Sequence, residues 1–204
     1  TCALPISKSW WRQANGECIA GPLKGQQLEE IPSEQISLSA WLRKHPDSKI
    51  LQPDENFKEE FDRMDAYDLG KSKSKLTKRD TLSWNFKSWV IGIDIDNNSK
   101  TYDWNLLAQE RLIQDSLPDA PIMLILESDT ASFHVYNRVL DGTALHFTID
   151  GDSLKDDETG SIWNYDGKCV AGVNKDKQLK SLSAYQEFLH SWEYFHPASK
   201  RFKD

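Results

Sequence analysis

The chain repeats itself at an offset of 151 residues, and no other feature restricts the fold as strongly, because a repeat defines what the folding unit is. Asn15-Gly16-Glu17-Cys18-Ile19-Ala20-Gly21 lies over Asp166-Gly167-Lys168-Cys169-Val170-Ala171-Gly172, and the register continues without a gap to Lys49 over Lys200. Fourteen of the thirty-four positions from Gly16 to Lys49 are identical, several times what composition alone supplies. They include Gln27/Gln178, Leu28/Leu179, Leu38/Leu189, Trp41/Trp192, His45/His196 and Pro46/Pro197. Upstream, one residue of slippage pairs Ser9 with Ser161 and Trp11 with Trp163.

A spacing this long is far beyond a solenoid period, so each copy is expected to be a folded half-domain. Residues 8–52 then form the C-terminal part of copy one and residues 83–204 form copy two. Residues 53–82 read as a polar connection, an acidic stretch through Asp68 followed by Lys71, Lys73, Lys75, Lys78 and Arg79, with little core of its own. Residues 1–7 have neither a charged n-region nor an apolar h-region, so they do not read as a signal peptide. They resemble a translated sequencing adapter joined to a truncated reading frame, and are set aside as non-native.

Charge and hydropathy remove several classes of function. The 32 acidic residues outnumber the 25 basic ones, giving a net charge of −7, the opposite of the basic footprint that phosphate neutralisation needs. Nucleic acid is therefore not expected as a partner. Mean hydropathy is −0.64, and no apolar run approaches the ~20 residues of a membrane helix. With Cys2 set aside, Cys18 and Cys169 remain, and neither belongs to a CxxC or a Cys/His zinc spacing, so no metal and no cofactor is expected.

Periodicity and turn chemistry give the expected elements. Trp89 to Ile95 reads as a strand that turns at Asp96-Asn97-Asn98-Ser99 into Lys100 to Trp104. Asn105 to Gln114 carries an apolar helical stripe, and Ile122 to Leu126 a fully buried strand. Hairpins are expected around Asp141-Gly142 and Asp166-Gly167, and a helix from Ala184 to Phe195 with Ser183 as N-cap and Gln186 in the capping-box position. The expected class is α+β, rich in antiparallel sheet, with two related half-domains in pseudo-twofold arrangement and short C-terminal helices.

Several of these residues carry a resemblance. Trp11-Arg12-Gln13, the run from Gly16 to Pro32, Trp41 and His45-Pro46-Asp47 resemble the bacterial and archaeal family called domain of unknown function 3179. Lys87 to Ile93, Asp157 to Trp163 and Trp192 to Pro197 resemble later stations of the same pattern. The resemblance implies an internally duplicated, exported or membrane-tethered protein without an established activity. Family members commonly carry a Tyr-Cys-Pro-x-Cys stretch just after a buried strand, which hints at thiol redox chemistry. Here the corresponding place, after Ile122 to Leu126, reads Glu127-Ser128-Asp129-Thr130, so the thiols are absent from copy two.

Candidate sites each have a plain structural alternative. Trp41 with His45, and Trp192 with His196, form a candidate paired site, since neutral imidazole is a common ligand. The structural reading is a helix C-terminus where Pro prevents continuation. Cys18 and Cys169 occupy matching positions, so a disulfide is conceivable, although a lone Cys in an apolar strand is more often a buried hydrophobe. Asp156-Asp157-Glu158 could supply paired carboxylates, but Thr159-Gly160 favours a solvated or turn-bonding role. Gly21-Pro22-Leu23-Lys24-Gly25 lacks the Gly-Lys-Ser/Thr ending of a phosphate loop and reads as a loop, while Asn97-Asn98-Ser99 reads as a turn rather than a glycosylation site. The eight Trp residues are assigned chiefly to core packing, with Trp41 and Trp192 both buried, rather than to ligand stacking or a partner interface. No catalytic residue is assigned. The expected function is a noncatalytic, extracytoplasmic binding or scaffolding module; the competing class is part of a thiol-redox protein whose Cys-Pro-x-Cys centre lies upstream.

Overall fold

The computed structural model describes residues 3–6, 8–31, 33–52, 54–62 and 78–203, in two compact units, Thr1–Ser33 and Glu34–Asp204. The first unit is an antiparallel sheet of β1 (Ala3–Ile6), β2 (Ser9–Arg12) and β3 (Cys18–Ala20) in that order. Ala3–Ile6, set aside in the sequence reading, thus pairs with Ser9–Arg12, because an extended segment satisfies the open backbone edge of β2. Gly21 leaves β3 at φ +98°, and a Cβ there would stand 2.7 Å from the Ser9 α-carbon. Only glycine combines that torsion with that approach.

The second unit begins with α1 (Leu38–Lys44), capped by the Ser37 hydroxyl, which accepts the Ala40 N–H at 3.1 Å. A 3₁₀ turn, Glu55–Phe57, leads into α2 (Lys58–Asp62); residues 63–77 of the expected polar connection lie outside the described residues. Next come β4 (Trp89–Ile95) and β5 (Asn98–Asp103), joined at Asp96-Asn97, both at positive φ as a type I′ hairpin turn requires. Asp103 ends β5 and caps α3 (Trp104–Glu110) by accepting the Leu106 N–H. The helix expected through Gln114 stops there, because Arg111 adopts a left-handed φ of +61° and Leu112–Leu117 forms β6. Pairing of β6 with β7 (Ala120–Leu126) outweighs the helical stripe, and β8 (Phe133–Asn137) completes this sheet.

Beyond it, β9 (Val139–Leu140) and β10 (Thr143–Ala144) form a two-stranded hairpin at Asp141-Gly142. A meander follows of β11 (Phe147–Asp150), β12 (Ser153–Asp156), β13 (Ile162–Trp163) and β14 (Cys169–Ala171). The chain closes with β15 (Tyr185–Phe188), α4 (Leu189–Phe195) and β16 (Lys200–Arg201). β15 and β16 flank the β4–β5 hairpin, β15 antiparallel to β4 and β16 parallel to β5. The helix expected from Ala184 therefore starts only at Leu189, and neither the Ser183 cap nor the Gln186 capping box forms. Tyr185 and Phe188 favour extended backbone, and the free edge of β4 supplies their hydrogen bonds. The fold is β-rich, with several antiparallel sheets and few, short helices.

β7 organises the packing. Ile122, Leu124 and Leu126 face one cluster, with Ile91, Ile93, Tyr102 and Leu107; Met123 and Ile125 face a second, with Tyr136, Phe147, Leu154 and Trp163. A third cluster joins Val90 of β4 to Leu189 and Trp192 of α4. Trp192 is 1% exposed and lies flat on β4, where a Cβ at Gly92 would stand 2.1 Å from the indole ring. Trp41 is not buried as expected: it is 41% exposed, because no strand of the β4 kind lies on it among the described residues.

Trp192→Ala should cost about 3–5 kcal/mol as a large core deletion, whereas Trp41→Ala should cost no more than about 1 kcal/mol. Gly92→Val should cost about 1–3 kcal/mol by overpacking. Urea denaturation midpoints of the three variants check this; equal costs for the two tryptophans would contradict the burial difference.

Candidate functional site

The two Trp–His pairs sit at helix ends and are built alike. His45 caps α1, its N–H donating to the Trp41 carbonyl at 2.8 Å, and His196 caps α4 through the Trp192 carbonyl at 2.8 Å. The Trp41 indole N–H donates to Ser48 Oγ and that of Trp192 to Ser199 Oγ, both at 2.8 Å. Each imidazole packs on its own indole, with ring centroids 4.1 Å apart in α1 and 3.7 Å in α4. Each pair is thus a local helix stop in which the Trp carbonyl and indole N–H are already used. Among the described residues no group of three or more His, Cys, Asp or Glu side chains could hold a metal ion.

Cys18 and Cys169 are both buried and free. Each thiol donates to a carbonyl two residues on, Ala20 at 3.4 Å and Ala171 at 3.3 Å. Burial pushes the Cys169 thiol up, with hydrogen bonds opposing it only in part. That is the setting of an unreactive cysteine.

Of the three adjacent carboxylates, Asp156 is fully buried rather than solvated. One oxygen accepts the Thr159 N–H at 2.6 Å and the Thr159 hydroxyl at 2.7 Å, and the other accepts the Trp163 indole N–H at 2.8 Å. Burial opposes its ionisation, yet these donors outweigh burial and hold it below the usual carboxylate range. Its role is turn-bonding. Glu158 pairs with His146 Nδ1 at 2.8 Å, away from Asp156 chemistry.

The sequence reading missed a polar cavity of about 400 Å³ in the second unit. Ala40, Arg43 and Lys44 of α1 form one wall, Glu127, Ser128 and Asp129 after β7 another, and Asp152 with Asn164, Tyr165 and Asp166 the rest. Ser37 places α1 here: its N–H donates to Ser132 Oγ at 2.9 Å and its hydroxyl to Asp129 Oδ2 at 2.7 Å. Burial disfavours the Asp129 anion, but donors from Ser132, Ala131 and Ser37 hold its pKa well below the ordinary range. Arg43 pairs with the buried Glu127, whose other oxygen lies 2.9 Å from His134 Nε2. Lys44 lies 2.7 Å from Asp166 and 3.2 Å from Glu34.

His134, behind this wall, is buried between carboxylates. Glu34 Oε1 stands 3.5 Å from its Nδ1, too far for a well-formed bond, and Nδ1 has no hydrogen-bond partner. The imidazole is still the main influence on Glu34, against burial and with help from Lys44, and the carboxyl is lowered to about 2. The only signal for this cavity in the sequence was the position of Glu127 to Thr130, where the resemblance places thiols; Glu34, Arg43, Lys44 and Asp166 are brought there by tertiary packing.

These features define a β-rich domain with a pre-paired polar cavity and two buried, unreactive thiols. The chain belongs to the family described as protein of unknown function (DUF3179), whose pattern matches residues 6–199. No curated protein and no solved structure matches it. No helix among the described residues is long and apolar enough to cross a membrane.

A carboxyl whose folded pKa is depressed stabilises the fold above its unfolded value and loses that contribution as pH falls through the folded one. For Glu34 the window runs from 4.5 down to about 2. Urea unfolding across that window should show a shallower acid loss in Glu34→Gln than in wild type; parallel curves would remove Glu34 from the acid response.

Proposed function

We propose that this domain is a noncatalytic binding module whose site is the Arg43/Glu127/Asp166 cavity, taking a small cationic, amine-bearing ligand. One observation carries the reading. Four carboxylates, Glu127, Asp129, Asp152 and Asp166, line the cavity against two cations, and both cations already face carboxylates. Asp152 has no hydrogen-bond or ion-pair partner among the described residues, and Asp129 is held ionised. The cavity therefore presents uncompensated negative charge inside a partly enclosed wall, where a cation gains more than it would in bulk water. The family resemblance supports a location outside the cytoplasm.

We also read the chain as two related half-domains in pseudo-twofold arrangement. The Gln186 N–H donates to Gln35 Oε1 at 2.6 Å, and these two residues are 151 positions apart, so equivalent positions of the two copies touch. Equivalent residues meet where a local twofold axis passes. The helices support this reading, since α1 and α4 are each seven residues long and each closes on a His that caps the carbonyl of the Trp four residues before it.

Thermal shift with small diamines and with matched dicarboxylates tests the ligand class. Diamines should raise the melting temperature of wild type, and Asp152→Asn should weaken them about tenfold, or about 1.4 kcal/mol. Stabilisation by dicarboxylates alone would reverse the charge assignment.

The second reading, part of a thiol-redox protein, is favoured by one observation: the place that carries thiols in the family forms a cavity wall here, at Glu127 to Asp129. The counterpart position in the first copy would then bear the chemistry. This chain by itself should not reduce a disulfide substrate in the presence of dithiothreitol, because both thiols among the described residues are buried. Turnover abolished in a Cys18→Ser, Cys169→Ser variant would make those cysteines the active centre.

A further inference from the structure

α1 and α4 are the same helix in two settings. Both carry at their fourth position a Trp whose carbonyl is capped by a His four residues on, and the cap torsions agree, φ −131° at His45 and −128° at His196. Both place a Leu three residues before the Trp, Leu38 before Trp41 and Leu189 before Trp192. Side chains three apart share a helix face, so each pair forms one apolar knob. The setting differs. Leu189 and Trp192 are 2% and 1% exposed, closed over by Val90 and Gly92 of β4. Leu38 and Trp41 are 54% and 41% exposed.

The molecule itself shows what fits such a knob. On α4 it is an apolar strand with a glycine beneath the indole, and a Cβ at that position would lie 2.1 to 2.3 Å from three ring atoms. No real side chain tolerates that separation, so glycine is required for the ring to lie flat. The Trp41 ring is already held by the same indole bond to serine and by packing against His45, so docking would order little further.

We propose that the Leu38/Trp41 face of α1 is a docking surface for a glycine-bearing apolar β-strand, the counterpart of β4 in the first copy of the repeat. The strand seats its glycine under Trp41 as Gly92 sits under Trp192. The inference rests on the repeat and on the two helix settings, and is independent of the ligand reading.

The test joins a second copy of residues 86–104, the β4–β5 hairpin, through a flexible Gly/Ser linker to the N-terminus of the full chain. Tethering keeps the hairpin at roughly millimolar effective concentration. Trp41 is followed by its indole N–H resonance, assigned by its loss in Trp41→Phe, and by exchange of that proton with solvent. The expected result is a shifted resonance and exchange slowed by about tenfold, the size of a 1.4 kcal/mol coupling. Gly92→Val in the added hairpin alone should abolish both effects, while the original β4 and Trp192 stay unchanged. An unchanged Trp41 signal, equal protection by the valine hairpin, or displacement of Trp192 in place of Trp41 would each overturn the proposal.

Discussion

Residues Ile122 to Leu126 are withdrawn from water completely, and their side chains alternate between two hydrophobic clusters. A strand has two faces and a period of two, so a run buried on both sides must have a layer against each. On one side that layer is the β4–β5 hairpin and α3; on the other it is the meander ending in Trp163 and Cys169. The hydrogen bonds of β7 go to β6 and β8, so the strand has no free edge. Packing on both faces and pairing on both edges make β7 the element on which the rest is assembled.

The polar cavity depends on the same strand. Glu127 follows Leu126 directly, and the turn from Glu127 to Ser132 is held by Asp129, which accepts from the Ala131 and Ser132 N–H groups. Asp129 also receives the Ser37 hydroxyl, so one carboxylate fixes both the turn and the start of α1. The Asp129 carboxylate stays charged because several donors together outweigh the hydration it loses. The same balance recurs at Asp156, where Thr159 and the Trp163 indole replace water. Both sites are built by hydrogen bonds that span a few residues, and both anchor something further away.

The Trp–His–Pro ends show how one local rule serves two tertiary outcomes. The cap, the indole bond to serine and the imidazole packed on the indole form in both helices, because every partner lies within seven residues of the Trp. Burial of the indole follows only where Gly92 lets a strand approach. Local geometry therefore presents the knob, and packing decides whether it is covered.

What the sequence determined by itself was local. The hairpin turns at Asp96-Asn97 and Asp141-Gly142, the buried run Ile122 to Leu126, the His–Pro helix stops and the β-rich class all follow from torsions, caps and periodicity over a few residues. Tyr185–Phe188 was not legible, since its side-chain pattern also suits a helix and only the open edge of β4 made it a strand. Leu112–Leu117 likewise took its form from β7. The cavity was hidden for the same reason: Glu34 and Arg43 lie far along the chain from Glu127 and His134, and the groups meet only when α1 is set against the end of β7. Short-range interactions carry their signal in the order of residues, whereas competition for a strand edge or for a buried charge is resolved only by the folded whole.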